Sequence, residues 1–146
     1  MRLTARSEYG LLAMIELAQR EGEGPASARE ISELQGIPPK YLEQLLVALR
    51  KAGLVTASRG ARGGFSLERR PSEITVLEIV EALEGPLSST VCDDERSAAC
   101  GKIGACAASG VWSRATQALR DVFEATRLSD LALEQQRLET DDTRSA

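Results

Sequence analysis

The chain has 146 residues, 42% hydrophobic yet only 3% aromatic, with a formal net charge of −4 and no histidine. That size and apolar content suit one domain with its own core, and the scarcity of rings favours aliphatic helix packing over a β-sandwich. No run approaches the ~18 apolar residues of a membrane span, and "MRLTARSEYG" has no apolar signal core behind its arginines, so a soluble cytoplasmic protein with no membrane partner is expected. The three cysteines, an odd count within residues 92–106, argue against a secreted disulfide framework.

Charge is distributed unevenly: residues 1–70 carry a net +3 and residues 71–146 a net −7. Between Pro38 and Arg62 stand Lys40, Arg50, Lys51, Arg59 and Arg62 against one acid, Glu43. A positive stretch in an acidic protein suits an anionic partner, although a solvated helix face beside a basic loop has the same composition.

In chain order, Thr4 is a good N-cap for a helix over residues 4–21, whose "YGLLAMIELAQ" is apolar almost all round and so buried on more than one side. After the breaker "GEGPA", Ser27 and Glu30 fit a capping box, with Ile31 and Leu34 as the core contacts of a short helix. The turn "QGIPP" leads into a helix over about residues 39–52, with Pro39 in its first turn. Leu42, Leu45, Leu46 and Leu49 share one face of it, leaving Lys40, Glu43, Gln44, Val47 and Lys51 to face elsewhere. Gly53 ends that helix, and "LVTAS" and "FSLE" read as two short strands joined by the glycine-rich "RGARGG".

Thr75 and Glu78 form a second capping box, and Val76, Ile79, Val80 and Leu83 continue a helical stripe to Gly85-Pro86. The segment "VCDDERSAACGKIGACAAS" has no periodicity and is expected to be a loop. From Val111 to about Leu128 a long helix carries Val111, Ala115, Leu119, Val122 and Phe123 as its apolar stripe, with Trp112 beside them. Ser129 is expected to cap a last short helix, and "ETDDTRSA" reads as a disordered tail.

A helix, a short capped helix, a tight turn, a leucine-faced helix and a glycine-tipped hairpin, in that order, make a winged helix-turn-helix. The fold class is therefore mainly α with a small β wing. The expected divisions are a DNA-binding unit over 1–84, a cysteine loop over 85–110, a long dimerisation helix with a short terminal helix over 111–138, and a tail over 139–146. The second helix of such a pair turns its polar face outward and enters a major groove. There Gln44 can pair with a base edge, Glu43 can accept from a cytosine amino group, and Lys40 can meet a phosphate or guanine. Arg59 and Arg62 at the hairpin tip can reach a minor groove or phosphates. A winged helix can also serve as a protein-docking module. An enzyme is not expected, because without histidine only loop thiols and carboxylates could supply acid–base or nucleophilic chemistry.

"MRLTARSEYGLLAM", "YLEQLLVALRKAGLV", "RGARGGFSL" and "ITVLEIVEALEGP" resemble the IscR/NsrR-type family of winged-helix regulators over roughly residues 1–138, most specifically at Tyr41 to Gln44 and Arg59 to Phe65. The resemblance implies a homodimer that binds imperfect palindromes in double-stranded DNA. It puts Lys40, Glu43 and Gln44 at bases or phosphates and Arg59 in the minor groove, and Tyr41 and Arg62 join them as candidate DNA-binding residues. It also makes the stripe Val111, Ala115, Leu119, Val122 and Phe123 the dimer interface.

Cys92, Cys100 and Cys106 are spaced Cys-x7-Cys-x5-Cys. Spacing alone leaves an iron–sulfur cluster, a zinc site without the usual Cys-x2-Cys pairing, and three reduced redox-responsive thiols all open. The resemblance implies the cluster, of the 2Fe–2S type ahead of 4Fe–4S, because metal-binding members carry three cysteines in this loop. In those members the first gap is commonly five residues; here it is seven. Some complete the site with a histidine three residues after the third cysteine, a position held here by Ser109, whereas others use an acidic residue near the partner's N-terminus. Glu8 occupies that place, and the resemblance ranks it ahead of Ser109, Asp93, Asp94 and Glu95 as fourth ligand. The function implied is a transcription repressor or activator governed by the cluster as a sensor of redox state, nitric oxide or iron–sulfur supply.

Overall fold

The computed structural model describes residues 3–87, 100–102 and 104–145; Cys92, Asp93, Asp94 and Glu95 lie outside them. Six helices follow in order: α1 (Ala5–Gln19), α2 (Ala28–Gln35), α3 (Pro39–Lys51), α4 (Val76–Glu84), α5 (Ala107–Ala125) and α6 (Leu128–Ser145). Between α3 and α4 lie the antiparallel strands β1 (Val55–Ser58) and β2 (Gly64–Leu67), paired Val55 to Leu67 through Ser58 to Gly64. The architecture is the expected one, mainly helical with a small β wing.

Helix α1 touches α2, α3, α4, α6 and β2. This explains its nearly all-round apolar sequence: Ala13, Met14, Ile15, Leu17 and Ala18 are all buried. A side chain at Gly10 would collide with Leu83 of α4, so glycine lets the two helices approach closely. The α3 leucines Leu42, Leu45, Leu46 and Leu49 are fully buried, and burying each such side chain stabilises the fold by about 1.5–3 kcal/mol.

Local signals set the boundaries. Both capping boxes form, Ser27 with Glu30 and Thr75 with Glu78, and Gly36 ends α2 in the left-handed conformation. The wing gains a third partner where Ala26 exchanges two backbone hydrogen bonds with Phe65, at 2.9 and 2.7 Å. A side chain at Gly64 would strike the Ala26 carbonyl, which explains the glycine there.

Three expectations change at the C-terminal end. Helix α5 begins at Ala107 rather than Val111, so Cys106 is its N-cap residue. Ser129 lies inside the first turn of α6; Asp130 accepts from the Arg127 backbone N–H at 3.3 Å instead. Residues 139–145 continue α6 and are not a tail without structure. Arg137 pairs with Glu134 and Asp141, and the hydroxyls of Thr140, Thr143 and Ser145 donate to carbonyls four residues back. Helix α6 also packs on α1, with Leu128 and Ala132 in the main core.

Candidate functional site

Pro39 starts α3, and the buried leucine face fixes its rotation about its own axis. Lys40, Glu43, Gln44, Val47, Arg50 and Lys51 are consequently exposed. Tyr41 is turned inward: it is half-buried against the core and meets Tyr9 of α1 edge-on, with ring centroids 5.8 Å apart. Its ring packs α3 against α1.

Arg59 and Arg62 are exposed at the tip of the wing, and among the described residues neither is paired with an acid. Arg20, Arg29, Arg69, Arg120 and Arg137, by contrast, all have carboxylate partners. The wing tip therefore presents cations whose charge no carboxylate among the described residues neutralises, a suitable arrangement for phosphates.

The second region surrounds the cysteines. Cys100 and Cys106 are half-buried free thiols. Ser109 donates its hydroxyl to the Cys106 carbonyl at 2.7 Å, so it is already engaged in the first turn of α5. Glu8 is exposed in the first turn of α1, with no ion pair or side-chain hydrogen bond among the described residues. Among those residues no group of three His, Cys, Asp or Glu side chains is placed to hold a metal, and the third thiol, Cys92, is outside them.

Helix α5 leans on α4 along only part of its predicted stripe. Leu119 and Phe123 are half-buried against Val76, Leu77, Val80 and Leu87 of their own chain. Val111 and Val122 are 49% and 60% exposed, and Ala115 is exposed too. The apolar residues thus divide between an intrachain face and an uncovered one. Near α5's middle the Arg120 guanidinium donates to Glu81 of α4 at 2.6 Å, and Glu81 also accepts from the Leu87 backbone N–H at 3.1 Å. No sequence motif marks this junction, because its partners lie 39 residues apart.

About one turn further along α4, Glu84 accepts from the hydroxyls of Thr4 and Ser7, and Arg6 donates to the Leu83 carbonyl at 3.1 Å. Partial burial opposes the charged form of Glu84, but the Ser7 and Thr4 bonds outweigh it and hold the carboxyl below its usual range. These bonds tie the turn that carries Glu8 to the helix that leads into the cysteine segment.

Residues 3–134 match the model of the Rrf2 family, described as iron-dependent transcriptional regulators. The chain is 41% identical over 133 residues to the HTH-type transcriptional regulator CymR of Bacillus subtilis, covering 90% of each protein. The solved structure of CymR, the global cysteine regulator of B. subtilis, superposes with a TM-score of 0.75 at 39% identity, over 92% of this chain and 98% of that one. IscR of T. potens gives the same TM-score at 36% identity, over 92% and 88%.

Proposed function

Because this chain belongs to the Rrf2 family of DNA-binding transcriptional regulators, we propose that it is one whose grip on DNA is set by an iron–sulfur cluster at Cys92, Cys100 and Cys106. The family consists of regulators rather than enzymes. No helix among the described residues is long and apolar enough to cross a membrane.

The observation that carries the DNA-binding reading is the pairing of α3's exposed Lys40, Glu43 and Gln44 with a wing tip whose Arg59 and Arg62 have no acidic partner among the described residues. Helix α3 supplies base contacts in the major groove, and the wing supplies phosphate or minor-groove contacts. Two copies paired through the uncovered face of α5, at Val111, Ala115 and Val122, read the two halves of an imperfect palindrome.

The donor chemistry of the cysteine segment suits the cluster. Free, partly accessible thiols are the usual ligands, and Glu8 is an accessible carboxylate with no competing partner among the described residues. When bound, the cluster supplies a redox-sensitive and displaceable group at the cysteine segment. The protein's own parts then carry the signal. The segment leads out of α4 through Leu87, whose N–H is held by Glu81, and into α5 through Cys106. A change in the segment therefore bears on both helices that orient one DNA-reading unit against its partner.

A second reading, thiols that respond without a cluster, rests on Cys100 and Cys106 being half-buried free thiols. Sulfide content separates the two.

Selection of duplexes from a random-sequence library tests the DNA reading. The protein should enrich an inverted repeat with half-site centres about 34–36 Å, one helical turn, or a multiple of that apart. Enrichment of no sequence over random duplex would contradict it.

A further inference from the structure

On the outward face of α3 one large apolar side chain stands among the polar ones: Val47, 53% exposed. At about 100° per residue, Arg50, Glu43, Val47, Lys40, Lys51 and Gln44 follow one another round an arc of roughly 120°, so Val47 lies inside the polar stripe and not at its edge. A β-branched residue gains nothing locally at an exposed helix position, where Ala, Lys or Glu would favour the helix more. What faces it is constrained by its surroundings. Lys40, Arg50, Lys51, Arg59 and Arg62 make this a surface for an anion, with Glu43 the one acid between Pro38 and Arg62.

We propose that Val47 is a specificity-determining residue that packs against the C5-methyl group of a thymine in each half-site. A base edge in the major groove offers hydrogen-bond donors, acceptors and one apolar group, the thymine methyl. Val47 lies about 4.5 Å further along the helix axis than Gln44, which places its methyls one or two base pairs from the base that Gln44 faces. The charged groups around it supply affinity for any duplex, whereas burying a methyl against Val47 favours thymine over cytosine and purines at that step. This assignment rests on α3 being the recognition helix.

The test uses a duplex selected by the unmodified protein from a random-sequence library, with each thymine in turn replaced by uracil, which removes only the C5-methyl. One thymine per half-site should stand out. Its replacement should weaken binding about fourfold, the equivalent of one lost methyl contact, and about fifteenfold when both half-sites are changed. Val47→Ala should bind the thymine duplex more weakly by a similar factor and be indifferent to uracil at that position. Gln44→Ala should remain sensitive to it.

If the unmodified protein tolerates uracil everywhere, or if Val47→Ala keeps the full uracil sensitivity, the inference is overturned. The recognition-helix reading would survive either result as long as Gln44→Ala relaxes preference at its own base pair and Lys40→Ala weakens binding to the selected duplex. If the unmodified protein selects no sequence at all, that reading falls and takes the inference with it.

Discussion

Arg120 of α5 donates to the Glu81 carboxylate of α4 at 2.6 Å, and the same oxygen, Oε1, accepts the Leu87 N–H at 3.1 Å. One side chain thus holds both the helix that follows the cysteine segment and the backbone that leads into it. Leu87 itself is buried with Val76, Leu77 and Val80, against which Leu119 and Phe123 pack. Removing the carboxylate should act locally on stability and more widely on regulation. Glu81→Ala should cost about 0.5–1.5 kcal/mol in chemical denaturation, because the pair is partly solvated. It should also reduce the difference in DNA affinity between cluster-bound and cluster-free protein, measured by gel shift. An unchanged difference would show that the signal does not pass through this junction.

The two DNA-facing elements should fail in different ways. Arg59→Ala removes a cation from the wing tip, and binding should weaken across all sequences, with the salt slope falling by about one. Gln44→Ala should instead relax preference at one base pair per half-site by about 1–3 kcal/mol. Titrations at several salt concentrations, on selected and scrambled duplexes, separate the two. Identical behaviour of the variants would contradict the division of labour between α3 and the wing.

The divided stripe on α5 makes a similar contrast. Val122 is 60% exposed within one chain, so Val122→Glu should leave the fold of the single chain within about 0.5 kcal/mol while shifting the protein to monomers. Leu119→Glu puts a charge against the apolar side chains of Val76, Leu77 and Val80 on α4 and should destabilise the chain itself by about 2–4 kcal/mol. Sedimentation velocity and thermal melts distinguish these outcomes. A Val122→Glu protein that stays dimeric at micromolar concentration would place the interface elsewhere.

Acid should loosen the start of α1. The Glu84 carboxyl is held below its usual range in the folded chain, so the unfolded chain binds more protons as pH falls toward and below the ordinary glutamate value near ~4.3. The stability contributed by the Thr4 and Ser7 bonds is present above that value and is lost as pH falls through the lower folded value. Melting temperatures of the parent and Glu84→Gln should therefore differ at pH 6, with the parent higher, and converge at acid pH. A difference independent of pH would assign the stabilisation to something other than the charge.

Most parts of this fold that depend on residues three or four apart were legible in the sequence, but Leu34, expected in the core beside Ile31, is 59% exposed. Ser27 with Glu30, Thr75 with Glu78 and the leucines from Leu42 to Leu49 took the conformations that their spacing predicts. What periodicity cannot convey is which neighbour covers a face. Leu119 and Phe123 share a helix with Val122, yet the first two pack against α4 and the third is 60% exposed. Tyr41 follows the same logic: its partner Tyr9 sits 32 residues earlier, on another helix. The charged C-terminal residues read as disordered by composition, but charge here builds pairs along α6, and Gln19 of α1 donates to Glu139 at 3.2 Å. On the site side, the outward groups of α3 and the wing arginines were legible as polar residues left over by a leucine face and a glycine-rich turn. The Glu81 junction was not, because nothing local announces a contact across 39 residues.

The central claim, that a cluster at the cysteines sets the grip on DNA, is tested most directly by one paired measurement. Protein purified without oxygen is assayed for iron and acid-labile sulfide per chain, and its affinity for a selected duplex is measured before and after the iron is removed by a chelator. The expected result is sulfide in equal amount to iron in the parent, none in Cys100→Ala or Cys106→Ala, and a change in affinity within the roughly 5–150-fold range of ordinary coupling between sites. Zinc without sulfide, or an affinity that stays the same when the iron is removed, would contradict the account.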